Sequence, residues 1–158
     1  KKKIVSLDSF FYPLDMIGNW NKMYGEDGFI QYQISIPDSA SYVIRFILEK
    51  FSKHQIPSFL SVLKRFGSQG NGILSFPSKG WTLAVDIPAG VEGLGELLDY
   101  LDEKVVDAGG RIYFAKDSRM NPSYVEKMYP RLNEFRKAKQ EIDSKNFYQS
   151  NMSRRLGL

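Results

Sequence analysis

The chain has 158 residues, with 22 lysines and arginines against 18 acidic residues, a net charge of +4, one histidine and no cysteine. Such a length suits one domain, or one domain with an appendage, and the composition excludes disulfides, zinc ribbons, cysteine nucleophiles and histidine-rich metal sites. No apolar run is long enough to span a bilayer, and a mild basic balance does not choose between phosphates, nucleic acid and anionic lipid.

The chain opens Lys1-Lys2-Lys3-Ile4-Val5-Ser6-Leu7-Asp8. No sustained apolar stretch follows the lysines, so this is not a signal peptide. Without an initiating methionine it reads as a piece cut from a longer protein. Phe10-Phe11-Tyr12-Pro13 forms an aromatic knot. Residues 14–24 predict a short helix burying Leu14, Ile17 and Met16 or Trp20, weakened by Gly18 and Asn19, with a turn at Gly25 and Gly28.

Residues 29–36 alternate: Ile30, Tyr32, Ile34 and Ile36 on one face, Phe29, Gln31, Gln33 and Ser35 on the other, the pattern of a half-buried strand. Pro37 ends it. Asp38 or Ser39 caps a helix to about residue 53, with Ala40, Val43, Ile47 and Phe51 on one stripe. Residues 58–66 predict a second strand, with Leu60, Val62, Lys64 and Phe66 sharing a side. A loop over residues 67–72 and a turn through Phe76-Pro77 and Gly80 lead to a third strand, residues 81–87. There Trp81, Leu83, Val85 and Ile87 oppose Thr82, Ala84 and Asp86. Val91, Leu94, Leu98, Leu101 and Val105 make a helical stripe closed by Gly109-Gly110. Residues 111–115 predict a short fourth strand. Beyond Pro122 the chain predicts helices over residues 123–129 and 132–143, and then a polar tail with Phe147 and Met152.

The order strand, helix, strand, strand, helix, strand predicts an α+β, ferredoxin-like antiparallel sheet with two helices on one face and a C-terminal helical tail. The uncovered face carries Gln31, Gln33, Thr82, Ala84 and Lys64. It reads either as a solvated sheet face or as a surface for a ligand or second domain. The tail has too few apolar positions for a core of its own and is expected to dock elsewhere.

Lys116 follows an apolar run and precedes a charged turn. A fixed cation there suits the anionic edge of a reduced flavin, and it also reads as a solvated lysine paired with Asp117. Lys64 reads equally as a snorkelling side chain or as a cation for a substrate phosphate or hydroxyl. His54 is explained by its helix end. The Gly67–Gly72 loop precedes no helix and lacks the dinucleotide fingerprint. Glu96, Asp99, Asp102 and Glu103 read as the polar side of an amphipathic helix. No metal site is expected.

Several short motifs recur together in one family. They are Pro13-Leu14-Asp15, Asn19-Trp20-Asn21 with Tyr24-Gly25, Gln31-Tyr32-Gln33, Leu63-Lys64-Arg65-Phe66-Gly67, Leu74-Ser75-Phe76-Pro77 and Gly80-Trp81. Ala115-Lys116-Asp117-Ser118-Arg119, Met128-Tyr129-Pro130-Arg131 and Ser153-Arg154-Arg155-Leu156 continue the series. In this order they make the chain resemble the C-terminal, substrate-domain part of the decaprenylphosphoryl-ribose oxidase family, in the vanillyl-alcohol-oxidase superfamily of FAD-linked oxidases.

The resemblance implies that residues 1–110 are most of the substrate (cap) domain, with a mobile N-terminal segment over residues 1–28. Residues 111–158 would return to an N-terminal FAD-binding domain. It implies oxidation of a sugar hydroxyl, on a polyprenyl-phosphate sugar, by hydride transfer to FAD. Partners would be that FAD domain, a short-chain NAD(P)H-dependent reductase and, through the lipid substrate, a membrane surface. Localisation stays open between cytoplasm and membrane surface. Lys116 would contact flavin and substrate, and Tyr113 would lie beside the flavin. Gln31, Gln33, Lys64 and Phe66 would line the substrate pocket. Thr82 and Ala84 match pocket positions where mycobacterial members carry asparagine and cysteine, so the polar contact at Thr82 differs and the thiol that anchors covalent nitroaromatic inhibitors is gone. FAD contacts would lie mainly in the N-terminal domain, so this chain alone is expected to bind no FAD tightly and to be inactive. The competing expectations are a ferredoxin-like nucleic-acid-binding module, whose glycine-aromatic motif is absent here, and a small-molecule-binding regulatory module.

Overall fold

Two long strands set the frame. β1 (Phe29–Pro37) and β3 (Gly80–Pro88) pair antiparallel along nine residues each, with Gln31 opposite Asp86, Gln33 opposite Ala84 and Ile34 opposite Leu83. Alternation sends Tyr32, Ile34, Ile36, Leu83, Val85 and Ile87 to one side, where each is at most 4% exposed. In this computed structural model, which describes residues 3–12, 15 and 17–158, β2 (Ser61–Phe66) lines the outer edge of β3 and β4 (Arg111–Ile112) the outer edge of β1. The sheet order is β2-β3-β1-β4 and every pairing is antiparallel. That is the ferredoxin-like arrangement expected from the element order.

α2 (Tyr42–Lys53) and α3 (Leu94–Asp107) cover the apolar face. Val43, Ile44, Ile47 and Phe51 face the sheet from α2, and Leu94, Leu97, Leu98, Leu101, Val105 and Val106 from α3. Each side chain of this size stabilises the fold by about 1.5–3 kcal/mol when fully buried. A Schellman motif ends α3: Gly109, at φ 72, donates to Val106 O at 3.0 Å, and Gly110 N–H donates to Val105 O at 2.8 Å.

Four local expectations are corrected. The helix expected over residues 14–24 is absent where it can be followed (Leu14 and Met16 lie outside the described residues). Instead a short α1 (Leu7–Phe11) is capped by Ser6, and a 3-10 turn spans Trp20–Tyr24. Asn19 enters that turn at φ 54, a left-handed conformation that asparagine tolerates and a continuing helix does not. β2 starts at Ser61 rather than Ser58, because the Ser58 hydroxyl turns the chain by donating to Leu60 O at 3.0 Å. β4 has two residues rather than five: a 3-10 turn over Phe114–Lys116 replaces its second half. The polar tail also contains a further helix, α6 (Asn151–Leu156), started by a Ser150–Ser153 capping box.

The C-terminal segment joins the same core. Met120, Val125, Met128, Tyr129, Leu132 and Leu156 are buried and continuous with the cluster around Ile34 and Leu98. They come from α4 (Tyr124–Met128), α5 (Leu132–Ile142), α6 and the loop before α4. No helix among the described residues is long and apolar enough to cross a membrane.

Gly110 is packed where only a hydrogen fits. A Cβ there would lie 2.7 Å from Ile36 Cδ1 and 2.8 Å from the carbonyls of Ser35 and Val105, whereas one at Gly67 would meet nothing within 4 Å. Gly110→Ala is expected to lower the urea-unfolding free energy by about 1–3 kcal/mol, and Gly67→Ala to leave it nearly unchanged. Equal midpoints for the two variants would contradict this packing.

Candidate functional site

The uncovered face of the sheet is roofed at both ends and open in the middle. At one end the loop between β2 and β3 folds over it. Phe76 stacks on Tyr113 at 4.4 Å between centroids and meets Phe66 edge-on at 5.9 Å. Arg111 Nη1 holds this loop by donating to Ser75 O at 2.6 Å. At the other end the Trp20–Tyr24 turn packs down. Tyr24 stacks on Phe29 at 4.3 Å and meets Phe59 edge-on at 5.3 Å.

Beside this second roof lies a cleft of about 440 Å³ lined by Ile17, Trp20, Met23, Tyr24, Phe29, Phe59 and Leu60 on its apolar walls and by Asp15, Gln31, Asp86 and Lys116 as its polar groups. A crevice of only about 10 Å³ beside it is lined by Gln31, Gln33, Tyr113 and Lys116 together with the core-side Ile30, Tyr32, Leu98 and Ile112. The structure thus brings Gln31 and Lys116 to the cleft, with Gln33 and Tyr113 next to them along the crevice. Thr82 and Ala84 sit one layer deeper: Gln33 Nε2 donates to Thr82 Oγ1 at 3.3 Å, and Ala84 is paired across from Gln33. Lys64 and Phe66 share this sheet face but line neither hollow. Lys64 is exposed on the edge strand opposite Thr82, and Phe66 packs under the β2–β3 loop.

Lys116 is exposed, and among the described residues no carboxylate lies within ion-pairing distance of it. The expected Asp117 partner is taken elsewhere. Asp117 Oδ1 accepts from the backbone of Arg119 and Met120 at 3.0 and 2.8 Å, and Oδ2 from Arg155 Nη2 of α6 at 2.6 Å. His54 follows its helix-end reading, with Nδ1 2.8 Å from Lys50 O.

Two carboxylates were not singled out by sequence. Asp86, 4% exposed, accepts from Gln31 Nε2 at 2.6 Å and Tyr24 Oη at 3.0 Å. Burial, then the adjacent Asp86, pushes the Tyr24 phenol up, so it remains a donor. Asp102 corrects the expectation of a solvated acidic face on α3: it is 1% exposed and accepts from Arg119 Nη2 at 2.6 Å, while Arg119 also pairs with Asp99. Its spacing from Leu98 and Val105 puts it on the apolar stripe, a signal outweighed by its neighbours Asp99 and Glu103. Asp102 Oδ1 and the Tyr32 hydroxyl are both buried and neither closes a hydrogen bond. Burial, then the Asp102 charge, raises the Tyr32 phenol.

Burial lifts the Asp102 carboxyl from 3.8 to about 6, against the opposing pull of Arg119. A raised folded-state pKa means that the native state holds this proton more tightly than the unfolded chain. The contribution to stability therefore falls as pH rises from about 4 to about 6 and stays low above that. The difference in unfolding free energy between wild type and Asp102→Asn is expected to fall by roughly 1–3 kcal/mol from pH 4 to pH 7. Urea titrations at each pH would refute this with a flat or rising difference.

No family model matches the chain. All 158 of its residues align at 40% identity with the decaprenylphosphoryl-beta-D-ribose oxidase of Mycolicibacterium smegmatis, covering 34% of that protein. Over 132 residues, 84% of the chain, it is 38% identical to a Streptomyces coelicolor protein named only as an uncharacterized protein in the mprA 5'region, covering 36% of it. The chain therefore spans about a third of the length of the curated relatives it matches. By sequence it is homologous, over its entire length, to a segment of the mycobacterial decaprenylphosphoryl-beta-D-ribose oxidase.

Proposed function

We propose that this chain is the C-terminal, substrate-binding part of an FAD-dependent oxidoreductase that oxidises a hydroxyl of a lipid-linked phosphoribose by hydride transfer to flavin. The observation that carries the proposal is the 40% identity, over all 158 residues, to about a third of a protein named as an oxidase of such a substrate. The cleft that Lys116 and Gln31 share, with Gln33 and Tyr113 beside it, supports it.

The residues present fit the redox end of a flavin. Lys116 offers an ammonium that forms no ion pair among the described residues, in a cleft it shares with Gln31, Asp15 and Asp86. Tyr113 offers a half-buried ring held flat by Phe76. The glycine-rich loop over residues 67–72 serves instead as a roof tied down by Arg111 and Arg131, which suits FAD phosphates bound by another domain. Bound FAD would supply the hydride acceptor.

This chain's own residues would then do three things. Gln31 and Gln33 orient the sugar hydroxyls. Lys116 stabilises negative charge that develops beside it during the reaction, a role worth about a hundredfold to a thousandfold when a single fixed donor is removed. Trp20, Met23, Tyr24, Phe29 and Phe59 provide an apolar wall for the prenyl chain and exclude water from the reacting carbon. We assign the face bearing Ile142, Phe147 and Tyr148, each more than three-quarters exposed, to contact with the FAD domain. A reductase acting next on the oxidised sugar remains part of the same proposal, as does approach to a membrane surface through the substrate.

In the full-length protein, Lys116→Ala is expected to lower kcat for a prenylphosphoryl-ribose by about a hundredfold or more while flavin stays bound. An unchanged kcat would remove Lys116 from the reaction. The 158-residue chain alone is expected to stay colourless after incubation with FAD and desalting; a retained flavin spectrum would contradict this. Because alanine stands at position 84, a nitroaromatic inhibitor is expected to leave no covalent mass increment there in the full-length protein. A mapped adduct would overturn the pocket assignment.

A further inference from the structure

Both glutamines have one of their two amide N–H donors engaged, and in each case the partner can only accept. Gln31 Nε2 donates to Asp86 Oδ1 at 2.6 Å, and a carboxylate offers acceptors alone. The other carboxylate oxygen is held by Tyr24 Oη at 3.0 Å. Gln33 Nε2 reaches Thr82 Oγ1 at 3.3 Å. The single hydroxyl proton of Thr82 is committed to the Ile34 carbonyl at 2.7 Å, so toward Gln33 its oxygen is an acceptor. Turning either amide over would set oxygen against oxygen and lose the bond. Each amide keeps its carbonyl Oε1 and its second N–H, and the bond already made fixes which side the carbonyl is on; among the described residues neither Oε1 has a protein partner.

From this geometry we infer that Asp86 and Thr82 are positioning residues that fix the polarity of the site. They turn Gln31 and Gln33 so that two carbonyl acceptors are held in place for a ligand that brings hydroxyl donors to them. A sugar ring with adjacent free hydroxyls meets that demand, and a deoxy sugar does not. The inference deepens the oxidase reading above and rests on it. Asp86 lies directly across β3 from Gln31, and Thr82 lies diagonal to Gln33, so β1–β3 pairing sets both amides at once. The two glutamines are one pleat repeat apart, about 7 Å between their Cα atoms. That leaves both side chains within reach of neighbouring hydroxyls on one ring.

The test uses the full-length protein with its flavin reduced, so that nothing is turned over. Calorimetry gives dissociation constants for a short-chain prenylphosphoryl-ribose and for its 2-deoxy and 3-deoxy counterparts. In wild type, each deoxy probe is expected to bind about tenfold more weakly than the ribosyl probe, because one amide carbonyl loses its donor. Asp86→Asn keeps the side-chain shape. Tyr24 holds the new amide oxygen, the new NH2 faces Gln31, and Gln31 turns over. The ribosyl probe should then weaken about tenfold while the deoxy probe lacking the Gln31 partner hydroxyl should not, so discrimination at that hydroxyl collapses. Thr82→Val should do the same at the other hydroxyl, and Thr82→Ser should restore it. This second pair carries the test by itself where Asp86→Asn fails to fold. An equal loss for all three probes, or unchanged discrimination in the variants, overturns the inference while leaving an oxidase in place. A wild-type flavin that the ribosyl probe fails to reduce under turnover conditions overturns the oxidase reading, and this inference with it.

Discussion

The register between β1 and β3 decides which chemistry reaches which side of the sheet. Side chains alternate with period two, so a slip of one residue would exchange the faces. Gln31, Gln33 and Asp86 would enter the helix-covered core, and Ile34, Ile36, Leu83 and Val85 would reach water. Burying those four side chains stabilises the observed register by on the order of 10 kcal/mol. Gly80 and Gly110 lock the last residues of β1 from its two sides, since the backbone of Ile36 and Ser35 passes too close for any side chain. The polar hollow is the reverse side of the same constraint. Its acceptors and donors are spaced by the pleat, and the apolar residues that hold the spacing never touch it.

A second constraint holds the loop that carries Lys116. Asp117 and Arg119 flank the turn and are tied to different elements: Asp117 to Arg155 of α6, Arg119 to Asp99 and Asp102 of α3. Asp117 is fully used, with both oxygens accepting. Asp102 is not, with one buried oxygen left over, and its burial lifts its pKa. Buried pairs of this kind are weak evidence for net stability, because desolvation offsets most of the attraction. Their stronger effect is geometric, since a buried charge with one available partner permits one arrangement. Residues far apart in sequence, at 117 and 155, are thereby made to fix the edge of one site. The C-terminal segment is consequently a structural part of the hollow's rim as well as a candidate bridge to another domain.

Much of the sheet and its two covering helices was legible in sequence, because each long element repeats its signal several times. Ile30 to Ile36 and Trp81 to Ile87 alternate without a break, and the α2 and α3 stripes run for three turns. The polar face was legible for the same reason. What escaped notice depends on a single residue or on a distant partner. Asp102 looked like one more acid on an acidic helix, and its burial is set by Arg119, seventeen positions on. Asp86 looked like the polar side of a strand, and its importance comes from Tyr24, which a left-handed Asn19 swings over the sheet. α6 has only Met152 and Leu156 as apolar anchors, too few for a periodicity to register. Lys64 and Phe66 sit on the expected face but away from the hollow, because the β2–β3 loop claims that end of the sheet.

The shortness of β4 is what lets Lys116 reach the hollow. Arg111 lies opposite Ser35 on the uncovered face and Ile112 opposite Ile34 on the core face. Continued as a strand, residues 114 and 116 would follow Ile112 inward, and Lys116 would be driven toward α3. Phe114 does turn inward, 9% exposed and 4.7 Å from the Tyr129 ring. The chain then closes a 3-10 turn, with Lys116 N–H donating to Tyr113 O at 3.0 Å, and the two-residue alternation is broken. With roughly 120° per residue instead of 180°, Lys116 emerges beside Gln31 and Asp86 rather than behind them. Lys116, expected just past a five-residue strand, is instead the last residue of a turn that replaces the second half of that strand.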